Sequence, residues 1–377
     1  MQLEQFNIEK NKPYRLIISG GGTGGHVYPA IAIANAFKAR FPEAEILFVG
    51  AKGKMEMQKV PEAGYPIKGL WISGLQRKLT LDNLSFPFKV IDSLAKSRQI
   101  IKSFKPHAAV GVGGYASGPI LRTAVRNKVP ALIQEQNSYA GLTNKVLAKK
   151  VQKVCVAYPG MEKFFPAEKV VLTGNPVRKD ITELADKKAL GMTHFGLTEG
   201  QPVLLILGGS LGARTLNDSM ILNLQRLANA KVQVLWQCGR FYHAEMQDKL
   251  AQVKENGFVK LFEFLKEMDL AYAVSDVVIS RAGALSVSEL SIAGKPTIFV
   301  PSPNVAEDHQ TKNAQAMVEN DAAEIVRDFD ARTQLIDRAI ALINNEKRKE
   351  ELTRNIKAMA KPNAANEIVD EIVKLIA

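Results

Sequence analysis

Short apolar, β-branched runs alternate along the chain with longer amphipathic stretches, first from Arg15 to about Thr173 and again from Pro202 to about Arg327. A short, nearly continuous apolar run bounded by turn residues fits a strand covered on both faces. Its alternation with helix-length segments is the signature of βαβ units and a parallel sheet. The pattern predicts strands at Arg15 to Ser19, Ile46 to Val49, Ala108 to Val112, Ala131 to Gln134, Val154 to Val156 and Val170 to Leu172. A second set is predicted at Val203 to Leu207, Val232 to Gln237, Val259 to Phe262, Val277 to Ile279 and Thr297 to Val300. Between the sets, Gly174-Asn175-Pro176-Val177-Arg178 stops regular structure and forms a hinge. The expected fold class is therefore α/β, with two doubly wound, Rossmann-like domains over residues 1–175 and 176–361 and a cleft opening beside the hinge. Residues 362–377 read as a closing helix with Ile368, Ile372, Val373 and Leu375 as its apolar positions.

Length and composition agree with this division. At 377 residues, 46% hydrophobic and 23% charged, the chain can build two cores. Its two cysteines, Cys155 and Cys238, sit in separate apolar segments and read as small core residues, not as a disulfide or metal framework. Residues 1–14 are polar, and the apolar run from Leu16 to Ile18 is too short for a signal-peptide core or a membrane span. A net charge of +12 favours a polyanionic partner: nucleic acid, a phosphate-bearing ligand or an anionic membrane surface. Nucleic acid is disfavoured, because aromatic and basic residues are not interleaved as a stacking platform and no common nucleic-acid motif is present.

The chemistry concentrates where predicted strands run into glycine turns. The first strand leads into Gly20-Gly21-Gly22-Thr23-Gly24-Gly25-His26, with Pro29 in the helix that follows. Glycines allow positive φ and close backbone approach, and the helix start offers N–H groups and partial positive charge to a phosphate. That field contributes about 0.3–1 kcal/mol per charge at an exposed end, so it positions an anion more than it captures one. Gly20, Gly22 and Gly25 also satisfy G-x-G-x-x-G, which makes a nicotinamide or flavin oxidoreductase the enzymatic rival. The ribose-reading acid expected after the second strand is missing from Val49-Gly50-Ala51-Lys52. His26 is either a general base or a solvated residue at a helix start.

In the second half, Val203 to Leu207 ends in Gly208-Gly209-Ser210-Leu211-Gly212-Ala213-Arg214, either another phosphate cradle or a helix capped by Ser210. Ser280-Arg281-Ala282-Gly283-Ala284-Leu285-Ser286-Val287-Ser288-Glu289 follows the strand Val277 to Ile279, at the carboxyl edge where open α/β sheets bind ligands. Glu289 would accept hydrogen bonds from a ribose diol there, or lie on an exposed helix face. The loop after Thr297 to Val300 carries Asp308, His309, Gln310 and Asn313, polar groups suited to sugar hydroxyls.

Taken in order, ISGGGTGGHVYPAIAIA, GVGGYASGP, QEQNSYAGLTNK, TGNPVR, GGSLGAR, EFLKEM, SRAGALSVSEL and EDHQTKNA resemble the MurG family, GT-B glycosyltransferases of family 28, over nearly the whole chain. The resemblance implies a GT-B fold of two Rossmann-like domains separated by a deep cleft, with the closing helix packed back on the first domain. It implies an inverting enzyme that moves N-acetylglucosamine from UDP-N-acetylglucosamine to the C4 hydroxyl of lipid I, the undecaprenyl-diphosphate-linked N-acetylmuramyl-pentapeptide, giving lipid II and UDP in peptidoglycan synthesis. By motif match, Arg178 and Ser210 would meet the diphosphate, the backbone at Leu265 the uracil, and the stretch Ala284, Leu285, Ser286, Val287 and Ser288 the phosphates. Glu289 would read the ribose, and Gln310 with His309 the sugar hydroxyls. Thr23, Gly24, Gly25 and Asn137 would close on the sugar from the first domain, with His26 as the nominated base. Leu211 stands where the family often has Gln, and Ser286 where Thr is more usual.

No metal or other cofactor is implied, so Asp328-Phe329-Asp330, which has the D-x-D form of metal-dependent transferases, reads as coincidence. Gly113-Gly114-Tyr115-Ala116-Ser117-Gly118 is the expected cradle for the acceptor diphosphate, with Gly113, Gly114, Tyr115 and Ser117 as its site residues. Leu81, Leu84, Phe86, Phe88 and Lys89, interleaved with Arg77, Lys78, Lys96 and Arg98, make either a peripheral patch for an anionic membrane surface or an amphipathic helix facing the core. The resemblance places the enzyme at the cytoplasmic face of the inner membrane, in company with envelope-synthesis proteins. Its neighbours in function would be a diacylglycerol UDP-sugar transferase and, in another class, a non-catalytic nucleotide-binding module.

Overall fold

The computed structural model describes residues 12–74, 85–253 and 256–377. The chain divides into two compact units: unit 1 ends at Val177 and takes up the chain again at Pro362–Ala377, and unit 2 is Arg178–Lys361. The change of unit falls two residues beyond the expected one.

Unit 1 holds a parallel sheet of β1 (Arg15–Gly20), β2 (Glu45–Ala51), β3 (Ile67–Leu70), β4 (Ala108–Gly113), β5 (Ala131–Glu135), β6 (Lys153–Val156) and β7 (Val170–Leu172), in the order β3-β2-β1-β4-β5-β6-β7. Side chains alternate between two cores, which is why the strands read as unbroken apolar runs. Leu16, Ile18, Ile46, Phe48, Val110 and Val112 face the helix Gly24–Arg40 and the closing helix Ala364–Ile376. Ile17, Leu47, Val49, Ala109 and Ile133 face the opposite core, with Ile100, Ile120 and Leu147 from three other helices. In the closing helix Ile368, Val369, Ile372 and Val373 are fully buried, and Arg40 pairs with Asp370 at 2.5 Å. At about 1.5–3 kcal/mol for each buried aliphatic side chain, burial rather than the ion pair holds this helix to unit 1.

Unit 2 repeats the plan with β8 (Val203–Leu207), β9 (Gln233–Gln237), β10 (Val259–Phe262), β11 (Val277–Ser280), β12 (Thr297–Phe299) and β13 (Glu324–Ile325), in the order β10-β9-β8-β11-β12-β13. Trp236, Leu204, Ile206, Ile279 and Ile298 anchor its core. The strand order reverses between β1 and β4 in unit 1 and between β8 and β11 in unit 2. In open α/β sheets, these reversals mark the crevice where ligands bind.

Two strands escaped the sequence pattern. β3 is a half-exposed edge strand interrupted by Gly69, and β13 is two residues long, so neither gives an apolar run. Cys155 and Cys238 are buried thiols, one in each unit.

The D-x-D residues are committed within unit 2. Arg281 donates to Asp328 at 2.5 Å, Thr215 donates to its other oxygen at 2.8 Å, and Arg327 donates to Asp330 at 2.7 Å.

Of the proposed membrane patch, Leu81 and Leu84 lie outside the described residues, as do Arg77 and Lys78. In the helix Phe86–Phe104, Ser93, Ser97, Ile100 and Ile101 are buried while Phe88 and Ile91 stand 67% and 66% exposed. Phe88 and Ile91 therefore point away from the core, whereas Val90 packs against it. Lys89 lies over the half-exposed Trp71 ring, 6.0 Å from its centroid. No helix among the described residues is long and apolar enough to cross a membrane.

Candidate active site

At the carboxyl edge of unit 1, the turns after β1 and β4 are packed backbone on backbone. A Cβ placed on Gly114, where φ is +86°, would lie 2.4 Å from the Gly21 carbonyl oxygen. A Cβ on Gly113 would lie 2.8 Å from the His26 ring, so the imidazole rests on that glycine. His26 Nδ1 is 2.9 Å from Gln136 Oε1. Ser117, fully buried, donates within the turn region, with the Gly113 and Ser19 carbonyl oxygens at 2.8 and 2.9 Å. Its hydroxyl holds the turn in shape, while Tyr115 is half exposed at the turn's tip.

Buried carboxylates organise the same edge. Glu56 is fully buried and accepts from Gly22 N at 2.9 Å and Ala51 N at 3.0 Å, filling the space beside Gly21 and Gly50 that any side chain would need. Glu135, at the end of β5, accepts from Asn137 N at 3.1 Å, Gly141 N at 3.0 Å and Asn144 Nδ2 at 2.9 Å, and so fixes the loop that carries Asn137. The first glycine turn thus already holds an internal anion. A diphosphate placed against it would meet Glu56, whereas the helix Ser117–Arg126 has neither a side-chain cap nor an acid in its first turn.

Unit 2 is built differently at its carboxyl edge. The helix after β8 begins at Arg214 with Ala213 as its N-cap, so Ser210 is not the cap; it is exposed, beside the half-exposed Leu211. The helix Ala284–Ala293 after β11 starts from Gly283, again with no side-chain cap and no acid in its first turn. Leu285 and Ser286 are half-buried in that turn, Val287 is buried beneath it, and Ser288 donates to the Ala284 carbonyl oxygen at 3.1 Å. Such helix starts are receptive to phosphate oxygens. Glu289, 18% exposed, accepts from Tyr272 Oη at 3.2 Å and lies 3.8 Å from Arg178 Nε. Burial raises its pKa above the usual carboxylate range, and the Arg178 charge pulls it back. Arg178, placed by sequence near the diphosphate, stands beside Glu289 and Asp180. The Leu265 N–H donates to Gln237 Oε1 at 2.9 Å, and Gln310 Oε1 accepts from Ser302 N at 2.9 Å, which leaves the Gln310 amide group as its donor end. Asn313 is buried and donates to the Ala282 carbonyl oxygen, supporting the turn after β11 from behind.

Residues 16–156 match the glycosyltransferase family 28 N-terminal domain, and residues 203–368 match the family 28 C-terminal domain. A relative from Cytophaga hutchinsonii, named UDP-N-acetylglucosamine--N-acetylmuramyl-(pentapeptide) pyrophosphoryl-undecaprenol N-acetylglucosamine transferase, is 57% identical over 98% of this chain and 99% of its own. One of the same name from Parabacteroides distasonis is 54% identical over 97% and 99%. The crystal structure of Acinetobacter baumannii MurG superimposes with a TM-score of 0.78 at 31% identity, covering 96% of this chain and all of that one. The chain belongs to the MurG family of family 28 glycosyltransferases. Its fold class is GT-B, as the sequence led one to expect, and it is a hexosyltransferase.

Within this MurG-family chain, sequence reasoning singled out His26, Asn137 and Glu289 but missed the groups that hold them. Gln134, Glu135, Gln136 and Asn175 lie inside the motifs QEQNSYAGLTNK and TGNPVR without standing out there, and Glu56 and Tyr272 carry no local signal beyond being polar residues next to apolar runs. The one available cue was an acid or amide at the end of a buried strand, as in Gln134-Glu135-Gln136, where a polar side chain has to find partners. Among the described residues no group of His, Cys, Asp and Glu could hold a metal ion.

Proposed function

We propose that this protein transfers N-acetylglucosamine from UDP-N-acetylglucosamine to the C4 hydroxyl of lipid I, with inversion, releasing UDP and making lipid II for peptidoglycan synthesis. The observation that carries the reading is that helix starts with no side-chain cap and no acid in their first turn follow β4 in unit 1 and β8 and β11 in unit 2, strands that border the sheet reversals. One enzyme that handles a sugar diphosphate and a lipid diphosphate needs such a cradle for each.

In this reading UDP lies on unit 2. Ser210 and the amides of Ala284, Leu285, Ser286, Val287 and Ser288 take its phosphates, with Arg178 adding positive charge, and Glu289 takes the ribose diol. The Leu265 N–H is already engaged by Gln237, so the uracil is read by the Leu265 carbonyl. His309 and the Gln310 amide donate to sugar hydroxyls. On unit 1, Thr23, Gly24, Gly25 and Asn137 serve the transferred sugar, and Gly113, Gly114 and Tyr115 serve the acceptor diphosphate on a turn that Ser117 holds. The acceptor oxygen attacks the anomeric carbon, the bond to the UDP oxygen breaks with its electron pair, and the hydroxyl proton passes to His26. Exposed Phe88 and Ile91 beside Lys89 make the face that meets anionic lipid at the cytoplasmic side of the membrane.

The test offers radiolabelled UDP-N-acetylglucosamine with a soluble lipid I analogue, beside UDP-glucose and diacylglycerol controls. Transfer only with the first pair is expected. Equal transfer to diacylglycerol would overturn the acceptor assignment, and full turnover in His26→Ala would overturn the base assignment. Co-flotation with anionic but not neutral vesicles, lost in Phe88→Ser/Ile91→Ser, tests the membrane face.

A further inference from the structure

Behind His26 lies a chain of buried amides whose directions are all determined. Gln134, Gln136 and Asn175 are each 2% exposed or less. Asn175 Nδ2 donates to the Gln136 carbonyl oxygen at 3.0 Å, so its Oδ1 is the acceptor, and it receives Gln134 Nε2 at 2.8 Å. Gln134 Oε1 therefore faces Gln136 Nε2, which also reaches the Val112 and Gln134 carbonyl oxygens at 2.7 and 3.1 Å. Backbone carbonyls only accept, so turning the Gln136 amide over would set oxygen against oxygen in a buried site at a cost of roughly 1–3 kcal/mol for each lost partner. What remains for His26 Nδ1, 2.9 Å away, is Oε1, an acceptor.

We propose that Gln136 is a positioning residue that holds neutral His26 as its Nδ1–H tautomer, so that Nε2 carries the lone pair that accepts the proton of the attacking hydroxyl. The inference rests on His26 being the base. Gln134 and Asn175 fix the direction of the Gln136 amide, and the Gly113 backbone fixes the plane of the ring. As the acceptor oxygen bonds to the anomeric carbon and the UDP oxygen leaves with its electron pair, the proton moves to Nε2. The imidazolium so formed still donates from Nδ1 to Gln136. With the opposite tautomer, Nε2 would already bear a proton and the base would be absent.

His107 supplies an internal standard, because its Nδ1 accepts from Arg15 N at 2.9 Å and its neutral ring must carry the proton on Nε2. The chain has five histidines, few enough to assign by substitution in the full-length protein. Long-range proton–nitrogen spectra of the histidine-labelled enzyme above pH 8 should show opposite patterns for the two rings, with Nδ1 protonated in His26 and Nε2 protonated in His107. Gln136→Met, similar in volume and lacking the acceptor, should move His26 toward the Nε2–H form. It should lower kcat about 10- to 100-fold, with KM for UDP-N-acetylglucosamine within about twofold. A wild-type spectrum with His26 protonated on Nε2 would overturn the inference without depending on any variant folding, and would leave the base reading intact if His26→Ala is inactive. An Nδ1–H spectrum together with full turnover in His26→Ala would overturn the base reading, and the catalytic role of Gln136 with it.

Discussion

The two carboxyl edges share a topology and differ in how their polar groups are satisfied. In unit 1, the turn after β1 and the loop after β5 are tied from inside, by the buried Glu56, Glu135, Gln134, Gln136 and Asn175, and the two glycine turns touch through their backbones. In unit 2, Ser210 and Leu211 are exposed, the Arg178–Glu289 pair is long at 3.8 Å, and Glu307 and Asp308 stand at positive φ in the loop before Gln310. A buried, densely bonded network is rigid, because most moves strand a donor or an acceptor, even though the Asn144 Oδ1 beside Glu135 has no partner of its own among the described residues. An edge of exposed side chains and uncapped helix starts can still acquire partners. The contrast separates the tasks. The half nominated for the reacting hydroxyl and the base is pre-built, whereas the half nominated for the nucleotide completes its bonding when the ligand arrives.

The largest effect that would break this contrast is expected at Gly114. Its φ of +86° and the Gly21 carbonyl oxygen 2.4 Å from a Cβ mean that Gly114→Ala must separate two backbones, and turnover should fall about 100-fold or more. Gly209 in unit 2 has a similar φ of +82° with open space around it, so Gly209→Ala should cost only about 1–2 kcal/mol of strain, read as a lower melting temperature with activity largely kept. Equal losses in steady-state turnover would show that the two edges are not built differently. Next in size is Glu56→Ala. It strands the Gly22 and Ala51 amides and should destabilise the protein by about 2–4 kcal/mol in denaturant unfolding, while KM for the nucleotide sugar stays near wild type. Glu289→Ala should do the reverse, raising that KM about 10-fold or more with little change in unfolding, because Glu289 is half-buried at the edge proposed for the nucleotide.

How far the sequence could be read follows the same line. Strands such as Leu16-Ile17-Ile18 and Val203-Leu204-Leu205-Ile206-Leu207 were legible because two-sided burial leaves a local apolar run. The glycine turns were legible because only glycine permits such close approach. Glu56 was not. In Lys54-Met55-Glu56-Met57 it looks like a surface acid, and its partner Gly22 lies 34 residues away. The missing acid after β2 was used to set aside a dinucleotide site, yet a carboxylate does reach that turn, from Glu56 and toward the protein's own amides instead of a ribose. Ser210 illustrates the opposite limit: a serine after glycines suggests a cap, but the helix begins four residues later. Gln136 stood within a recognised motif, but only the folded chain reveals which of its two amide ends faces His26.

The smallest effect, and the sharpest probe of the adjustable edge, is the titration of Glu289. Its ionised form accepts both hydrogen bonds of a diol, whereas the protonated form turns one oxygen into a donor, so nucleotide affinity should fall as pH drops through its pKa. Burial holds that pKa up, while Arg178 and the Tyr272 hydroxyl hold it down. The Tyr272 hydroxyl is itself pushed well above its ordinary range by burial, so it remains a neutral donor throughout. Tyr272→Phe removes one hydrogen bond of 3.2 Å and should weaken UDP binding by about 1 kcal/mol or less above the titration. It should also move the acid limb to higher pH, since the ionised carboxylate has lost a partner. Arg178→Ala should shift the limb in the same direction through the lost charge, and should leave stability within about 1 kcal/mol because the ion pair is long and Arg178 is 45% exposed. Calorimetric titration of UDP across pH 4.5 to 7 reads both shifts. Affinity that rises instead of falling as the pH drops through the titration would mean that Glu289 binds in its protonated form and donates to the ribose instead of accepting from it.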